Sequence, residues 1–154
     1  MINVRTILLA EDNPKDVELT LEAMSESNLA NQINVVKDGV EALEYLQCEG
    51  KYKQRKAGNP AFILLDIKMP RMDGIELLRI IRADPKLKMI PIVILTSSRE
   101  ERDLINSYNL GVNAYVVKPV NFHDFLIAVK QIGAFWAFLN ELPPQGVTGY
   151  DTKN

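Results

Sequence analysis

Five short segments rich in apolar residues recur along the chain, and each is followed by a stretch with helical spacing. The segments lie at residues 5–10, 32–37, 62–66, 90–95 and 114–117. Short apolar runs of this kind are typical of strands buried on both faces of a parallel sheet. Strands that alternate with helices predict an α/β domain whose sheet is covered by helices on both faces.

The stretches between these segments predict five helices. They begin at Pro14, after Asp38-Gly39, after Asp73-Gly74, at Arg99 and at Asn121. Asn13 is a predicted N-cap, and a proline at the first helical position loses no hydrogen bond. The first helix is predicted to run to about Ser27. The fourth helix is predicted to end at Tyr108 and has an apolar stripe of Leu104, Ile105 and Tyr108.

A polar connection, residues 49–60, separates the second helix from the third strand. It contains two glycines and four lysine or arginine residues, and it is longer than most connections in compact α/β domains. We predict a solvated loop, or a helix extension followed by a loop. The sequence has no second compact unit, so residues 3–142 are predicted to form one domain without an output domain. The polar residues 143–154 are predicted to form a disordered tail.

Composition narrows the class of protein. The chain has 154 residues, of which 47% are hydrophobic and 25% charged, and its net charge is −2. Neither charge sign dominates, so nucleic acid and anionic membranes are not expected partners. The single cysteine, Cys48, cannot form an internal disulfide, and the sequence has neither a membrane-spanning apolar run nor a leader-like start. We therefore expect a cytoplasmic protein.

Polar side chains stand at the carboxyl ends of four predicted strands: Glu11 and Asp12, Asp66, Thr96, and Lys118. In a right-handed βα fold these ends lie at one edge of the sheet. Three carboxylates gathered there would repel one another unless a divalent cation or an ammonium group compensates them. Mg²⁺ prefers oxygen ligands, and Lys118 supplies the ammonium.

The same residues suit a phosphoryl group on Asp66. An aspartate carboxylate can act as a nucleophile and form an aspartyl phosphate. The equatorial oxygens of that group need neutralisation from several directions, which a cation, Lys118 and the hydroxyl of Thr96 would provide. Asp66 is therefore the predicted reactive residue.

Five spaced motifs, in order, resemble the receiver domain of two-component response regulators. They are Glu11-Asp12, Asp66 with Met69-Pro70, Asp73-Gly74, Thr96-Ser97 and Lys118-Pro119. The resemblance covers about residues 3–139. It implies a five-stranded parallel sheet of order 2-1-3-4-5, with helices on both faces and the ligand at the switch between strands 1 and 3.

The resemblance also implies roles for site residues. Asp66 would accept a phosphoryl group from a sensor histidine kinase. Asp12, Asp66 and the backbone carbonyl of Lys68 would ligate Mg²⁺, and Glu11 would reach the ion through water. Two residues depart from the commonest pattern: Glu11 replaces an aspartate, and Lys68 places an ammonium beside the acceptor, where it would alter the lifetime of the phosphoryl group.

The resemblance implies roles for three further residues, of which Thr96 and Tyr115 form the switch. Thr96 and Lys118 would contact the phosphoryl oxygens, and Tyr115 would turn inward on activation. Movement of Thr96 and Tyr115 would change the face formed by helix 4, strand 5 and helix 5. The changed face would then pass the signal to a partner protein or alter the assembly state. Such a protein acts as a phosphorylation-controlled switch and not as a conventional enzyme.

The long connection 49–60 and the extended last helix are similar to those of small regulators paired with bacterial phytochromes. This resemblance implies a phytochrome as the upstream kinase and dimerisation through the last helix and the element before it. Phe135 and Phe138 fall away from the stripe that carries Trp136. A second apolar face predicts a partner surface, so Phe135, Trp136 and Phe138 are the predicted homodimer interface.

Two other functions fit the same fold class. An aspartate-nucleophile phosphatase would carry a second aspartate two residues after the nucleophile, where this chain has Lys68. A flavodoxin-like module would need a serine- or threonine-rich phosphate loop after the first strand. The acidic pair Glu11-Asp12 would instead repel the phosphate of a flavin mononucleotide.

Overall fold

The computed structural model describes residues 6–26 and 32–132. The strands are Ile7–Ala10 (β1), Ile33–Val36 (β2), Phe62–Asp66 (β3), Ile92–Thr96 (β4) and Ala114–Val117 (β5). The α-helices are Pro14–Ser25 (α1), Gly39–Gln47 (α2), Gly74–Ala83 (α3), Arg99–Ser107 (α4) and Phe122–Gln131 (α5), and a 3-10 helix spans Gly50–Tyr52. None of the helices in these ranges is long and apolar enough to cross a membrane.

The five strands form one sheet in the order β2-β1-β3-β4-β5, and every neighbouring pair is parallel. This confirms the predicted fold class and strand order. The register places Asp66, the last residue of β3, opposite Leu95 of β4, and Thr96 opposite Val117 of β5. The carboxyl ends of the three strands therefore finish close together at one edge.

Both faces of the sheet are covered, as the apolar runs predict. One face packs on side chains of α2 and α3 and on Ile105 of α4. The other packs on α1 and α5, with Phe62 and Phe125 in contact at a ring separation of 6.3 Å. All residues of β1, β3 and β4 are buried. Each large aliphatic side chain buried in this way contributes about 1.5–3 kcal/mol to folding.

A side chain caps the start of each of the five α-helices by accepting backbone N–H bonds. The capping residues are Asn13, Asp38, Asp73, Ser98 and Asn121. The cap at Asn13 and the proline at the first helical position were predicted, and both are confirmed. Because each of the five α-helices follows a strand along the chain, these caps lie in the loops at the carboxyl edge of the sheet.

The structure corrects several predicted boundaries and contacts. The first helix ends at Ser25, not Ser27, and β4 begins at Ile92 and includes Thr96. The predicted apolar stripe of α4 is wrong in part: Ile105 is buried, but Leu104 is 47% and Tyr108 39% exposed. The exposed Tyr108 ring instead packs under the guanidinium of an arginine on α3.

The connection 49–60 starts with the 3-10 helix shortly after α2 and continues as a loop, which agrees with the predicted helix extension followed by a loop. Its 3-10 helix brings the hydroxyl of Tyr52 within 2.7 Å of Glu41 Oε2, to which it donates. Lys51 pairs with the same oxygen at 2.7 Å. The guanidinium of Arg55 lies 4.1 Å from the centre of the Tyr45 ring. These contacts hold the segment against α2.

Candidate functional site

The predicted polar residues meet at the carboxyl edge of the sheet. Asp66 ends β3, Glu11 and Asp12 directly follow β1, Thr96 ends β4 and Lys118 directly follows β5. Because β1, β3, β4 and β5 are neighbouring parallel strands, residues separated by more than 100 positions along the chain share one edge. The strand register, and not sequence proximity, assembles the site.

Lys118 occupies the centre of this group. Its Nζ lies 2.9 Å from Asp66 Oδ1, 3.0 Å from Glu11 Oε1 and 3.2 Å from Asp16 Oδ2. Burial alone would lower the pKa of Lys118, but the close contacts with the carboxylates of Asp66 and Glu11 outweigh it and raise the pKa above its usual range. The ammonium therefore stays charged and holds the carboxylates together.

Glu11 is the most deeply buried acid of the group. One oxygen accepts the backbone N–H of Asn13 at 3.1 Å. The other, Oε1, faces the ammonium of Lys118 but receives no well-directed hydrogen bond from the described part of the chain. Burial, with a contribution from the charge of Asp66, raises the pKa of Glu11 to about 7. A buried oxygen in this state is suited to a cation or an ordered water.

A divalent cation fits the carboxylates. Glu11, Asp12 and Asp66 can each offer one oxygen, and the three oxygens lie within 4.8 Å of one another. An all-oxygen donor set with one exposed member, Asp12, matches the preference of Mg²⁺ for carboxylates and retained waters. The excess of negative charge also favours a cation, because a single ammonium cannot compensate all the acids at this edge.

The site opens into a cavity of about 180 Å³. Its lining consists of Glu11, Asp12, Asn13, Asp16, Asp66, Lys68, Ser97, Glu101 and Lys118. Five of these residues were predicted from the sequence as site residues. The lining is mixed in charge, with carboxylates from α1 and α4 in addition to the predicted acids. It suits a small, charged group bound at Asp66.

Thr96 is at the predicted strand end but does not face Asp66. It is 1% exposed, and its hydroxyl lies 2.8 Å from the carbonyl of Ser98 and 3.0 Å from Glu101 Oε1. Thr96 is not among the described residues that line the cavity. The sequence predicts its position correctly, while its side chain is bonded to α4 and its cap.

Tyr115 lies outside the cavity. Its hydroxyl donates to Asn106 Oδ1, and the guanidinium of Arg102 lies 4.9 Å from its ring centre. The ring therefore packs against α4, at the surface between α4 and β5. The inward movement predicted for Tyr115 is not tested by this arrangement and stays a prediction.

Asp16 and Glu101 are site residues that the sequence reasoning missed. Each is the third residue after a helix cap, Asn13 or Ser98. An acid at this position commonly stabilises the N-terminus of its own helix, so the sequence gives no reason to assign it to the site. The position of both caps could have revealed them, because each cap lies one or two residues after a predicted site residue: Asn13 after Asp12, and Ser98 after Thr96.

Comparisons with known proteins agree with this geometry. The family model described as "Response regulator receiver domain" matches residues 7–130. Response regulator Rcp1 of Synechocystis sp. is 39% identical over 139 residues, which are 90% of this chain and 93% of Rcp1. The Mn(2+)-bound structure of Rcp1 has a TM-score of 0.68 at 35% identity and covers 93% of this chain and 100% of its own.

Two other solved structures are similar. Bacteriophytochrome response regulator RtBRR has a TM-score of 0.85 at 53% identity, covering 92% of this chain and 86% of its own. The phosphorylated cyanobacterial phytochrome response regulator RcpA has a TM-score of 0.68 at 37% identity, covering 90% of this chain and 96% of its own. The similarity thus extends through the whole sheet and its helices.

Proposed function

The chain belongs to the response regulator receiver domain family, and from this premise we propose that Asp66 accepts a phosphoryl group from a sensor histidine kinase. A carboxylate oxygen of Asp66 forms the new bond to phosphorus while the phosphorus–nitrogen bond of the donor histidine breaks. The observation that carries the proposal is the contact of 2.9 Å between Lys118 Nζ and Asp66 Oδ1. A fixed ammonium there would neutralise charge on the transferred group.

Mg²⁺ is the proposed cofactor of this reaction. Asp12, Asp66 and the backbone carbonyl of Lys68 would hold it, with Glu11 acting through water. The ion would supply positive charge that offsets the negative charge of the phosphoryl oxygens. The grouping of three carboxylate oxygens supports this assignment, as does the Mn(2+)-bound state of the related Rcp1.

Mg²⁺ binding is expected to strengthen as the pH rises from 6 to 8. With a pKa of about 7, Glu11 is mostly protonated at pH 6 and mostly ionised at pH 8, and only the ionised form attracts a cation. The affinity should rise roughly tenfold over this range, as measured by isothermal titration calorimetry. Glu11→Gln should flatten the profile. A wild-type affinity that does not change with pH would contradict the role of Glu11.

The proposed output surface is the face formed by α4, β5 and α5. Its groove has a volume of about 590 Å³ and includes Arg102, Tyr115, Val117 and Ile127 in its lining. Val117 is 54% and Ile127 44% exposed, and two exposed apolar side chains in one groove support its assignment as a partner surface. Thr96 would bond to the phosphoryl group and Tyr115 would follow it inward, which changes this groove.

A phytochrome is the proposed upstream kinase. The supporting observation is the similarity to the bacteriophytochrome and cyanobacterial phytochrome response regulators. The predicted homodimer interface, Phe135, Trp136 and Phe138, lies outside the described residues. Dimerisation therefore stays a prediction. The downstream partner and a cytoplasmic location are also predictions.

Phosphorylation of the purified protein tests the proposed function. Incubation with Mg²⁺ and acetyl phosphate should increase the intact mass by one phosphoryl group, and mild base should remove it, because acyl phosphates hydrolyse readily. Peptide mapping should place the modified residue at Asp66. Omission of Mg²⁺ should suppress the reaction. A base-stable group, or one on another residue, would refute the proposal. A flavodoxin-like module would not take up the group, and an aspartate-nucleophile phosphatase would hydrolyse it and turn over acetyl phosphate continuously instead of retaining one phosphoryl group.

A further inference from the structure

The hydroxyl of Thr96 is fully engaged in this structure. It has one proton, and two acceptors lie within reach: the carbonyl of Ser98 at 2.8 Å and Glu101 Oε1 at 3.0 Å. The backbone N–H of Ser98 also points to the same hydroxyl oxygen at 3.3 Å. With these partners in place, Thr96 has no proton to donate towards Asp66.

Glu101 is itself held rigidly in this position. Its Oε1 accepts the N–H of Ser97 at 2.9 Å, and its own N–H donates to Ser98 Oγ at 3.1 Å. Burial alone would raise the pKa of Glu101, but the hydrogen bonds from Ser97 and Thr96 outweigh it and lower the pKa. The side chain is therefore an ionised carboxylate, tied to the turn that connects β4 to α4.

The ion pair with Lys68 is not what fixes Glu101. Lys68 Nζ lies 3.8 Å from Glu101 Oε2, and the Lys68 side chain is 84% exposed. Exposed pairs at this distance contribute little to stability. The position of Glu101 instead follows from the helix start, where its N–H donates to the hydroxyl of the capping Ser98 and its carboxylate accepts the N–H of the preceding Ser97.

The Glu101 carboxylate also lines the cavity into which Asp66 opens. A phosphoryl group on Asp66 would bring further negative charge into that cavity and would need the same Thr96 hydroxyl. The carboxylate opposes the phosphorylated state in two ways: it repels the group, and it occupies the donor that would bind it. The repulsion acts only when a phosphoryl group is present, whereas the bond to Thr96 exists without one.

We propose that Glu101 is a positioning residue that holds Thr96 in the unphosphorylated arrangement and is displaced when Asp66 is phosphorylated. This inference rests on the proposed function of Asp66. The strength of the Thr96–Glu101 contact then sets how readily the domain switches. A weaker contact shifts the population towards the active arrangement before any phosphoryl group is added.

The test compares Glu101→Gln with Glu100→Gln. Glutamine keeps an oxygen for Ser97 and Thr96 but removes the charge, and Glu100 is an exposed neighbour on the same helix. Calorimetric titration with beryllofluoride, a phosphoryl mimic, in the presence of Mg²⁺ should give roughly five- to tenfold tighter binding to Glu101→Gln than to wild type. Glu100→Gln should bind as wild type does.

A second pair of variants separates positioning from general electrostatics. In a Thr96→Ala background there is no hydroxyl to release, so Glu101→Gln should improve beryllofluoride binding by clearly less than it does in wild type. Melting temperatures without beryllofluoride check that each variant is folded. An equal gain in both backgrounds, or no difference between Glu101→Gln and Glu100→Gln, would overturn the inference.

Failure of the inference is distinguishable from failure of the proposed function. If wild-type protein binds beryllofluoride and Asp66→Asn does not, the acceptor site is established, and the Glu101 comparison alone decides the inference. If wild type and Asp66→Asn bind equally poorly, the proposed function itself is refuted, and the inference falls with it.

Discussion

Asp66→Asn is expected to abolish base-labile phosphorylation. The amide has nearly the same shape as the carboxylate but lacks the anionic oxygen that must attack phosphorus. Lys118 keeps its contacts to Glu11 and Asp16 at 3.0 and 3.2 Å, so the variant should fold. The phosphorylated fraction, measured by intact-mass spectrometry after incubation with acetyl phosphate and Mg²⁺, should fall at least about 100-fold.

A matched control removes a carboxylate outside the cavity. Asp103 is an exposed acid on α4 and is not part of the cavity lining. Asp103→Asn makes the same chemical change as Asp66→Asn, and its labelling should equal that of wild type. Full labelling of Asp66→Asn would refute Asp66 as the acceptor. A loss of labelling in both variants would show that general charge, and not the acceptor itself, controls the reaction.

The strands of the sheet were predictable because strands buried on both faces consist of apolar residues. The strands β1, β3 and β4 are buried on both faces, which requires the short apolar runs visible in the sequence. Strand order came from the resemblance and is confirmed. The packing of the connection 49–60 was not predictable, since Tyr52 and Glu41 bond across eleven positions through side chains, and no local pattern encodes that contact.

The site was predictable in its strand-end residues and not in its side-chain directions. A strand end fixes where Asp66, Lys118 and Thr96 lie, because the register of parallel strands fixes the edge. The direction of the Thr96 hydroxyl depends on which acceptor is available. The sequence does not show whether the hydroxyl turns towards Asp66 or towards Glu101, which accepts its bond in the structure. The contact of Asp16 with Lys118 at 3.2 Å likewise depends on where α1 places Asp16 relative to the residue that follows β5.

The close approach of α3 to the backbone of Asp66 requires a glycine at position 74. The N–H of Gly74 donates to the carbonyl of Ile67 at 2.8 Å. The helix start thereby folds back on the backbone of the acceptor segment. A Cβ at position 74 would lie 2.3 Å from the carbonyl oxygen of Asp66 and 2.9 Å from Ile67 Cα. Both atoms belong to the backbone and cannot rotate away.

Gly74→Ala is therefore expected to damage both stability and the site. Relief of the contact requires a shift of α3 or of the backbone at Asp66, and overpacking of this kind costs about 2–3 kcal/mol. Urea unfolding followed by circular dichroism should show that loss. The same shift moves Asp66 relative to Lys118, now 2.9 Å away, so labelling by acetyl phosphate should be slower even at temperatures where the variant is folded.

Gly58→Ala separates these two effects. Position 58 has open space around it, with no atom within 4 Å of a new Cβ, but its φ of +131 is unfavourable for alanine. The free energy of unfolding of this variant should fall by about 1 kcal/mol through backbone strain. Its rate of phosphorylation should equal that of wild type, because position 58 lies in the connection 49–60, away from Asp66.

If Gly74→Ala unfolds at the wild-type urea concentration, the close approach of α3 to Asp66 does not hold in solution. If Gly74→Ala is destabilised but phosphorylated at the wild-type rate, Gly74 supports the fold without setting the position of Asp66.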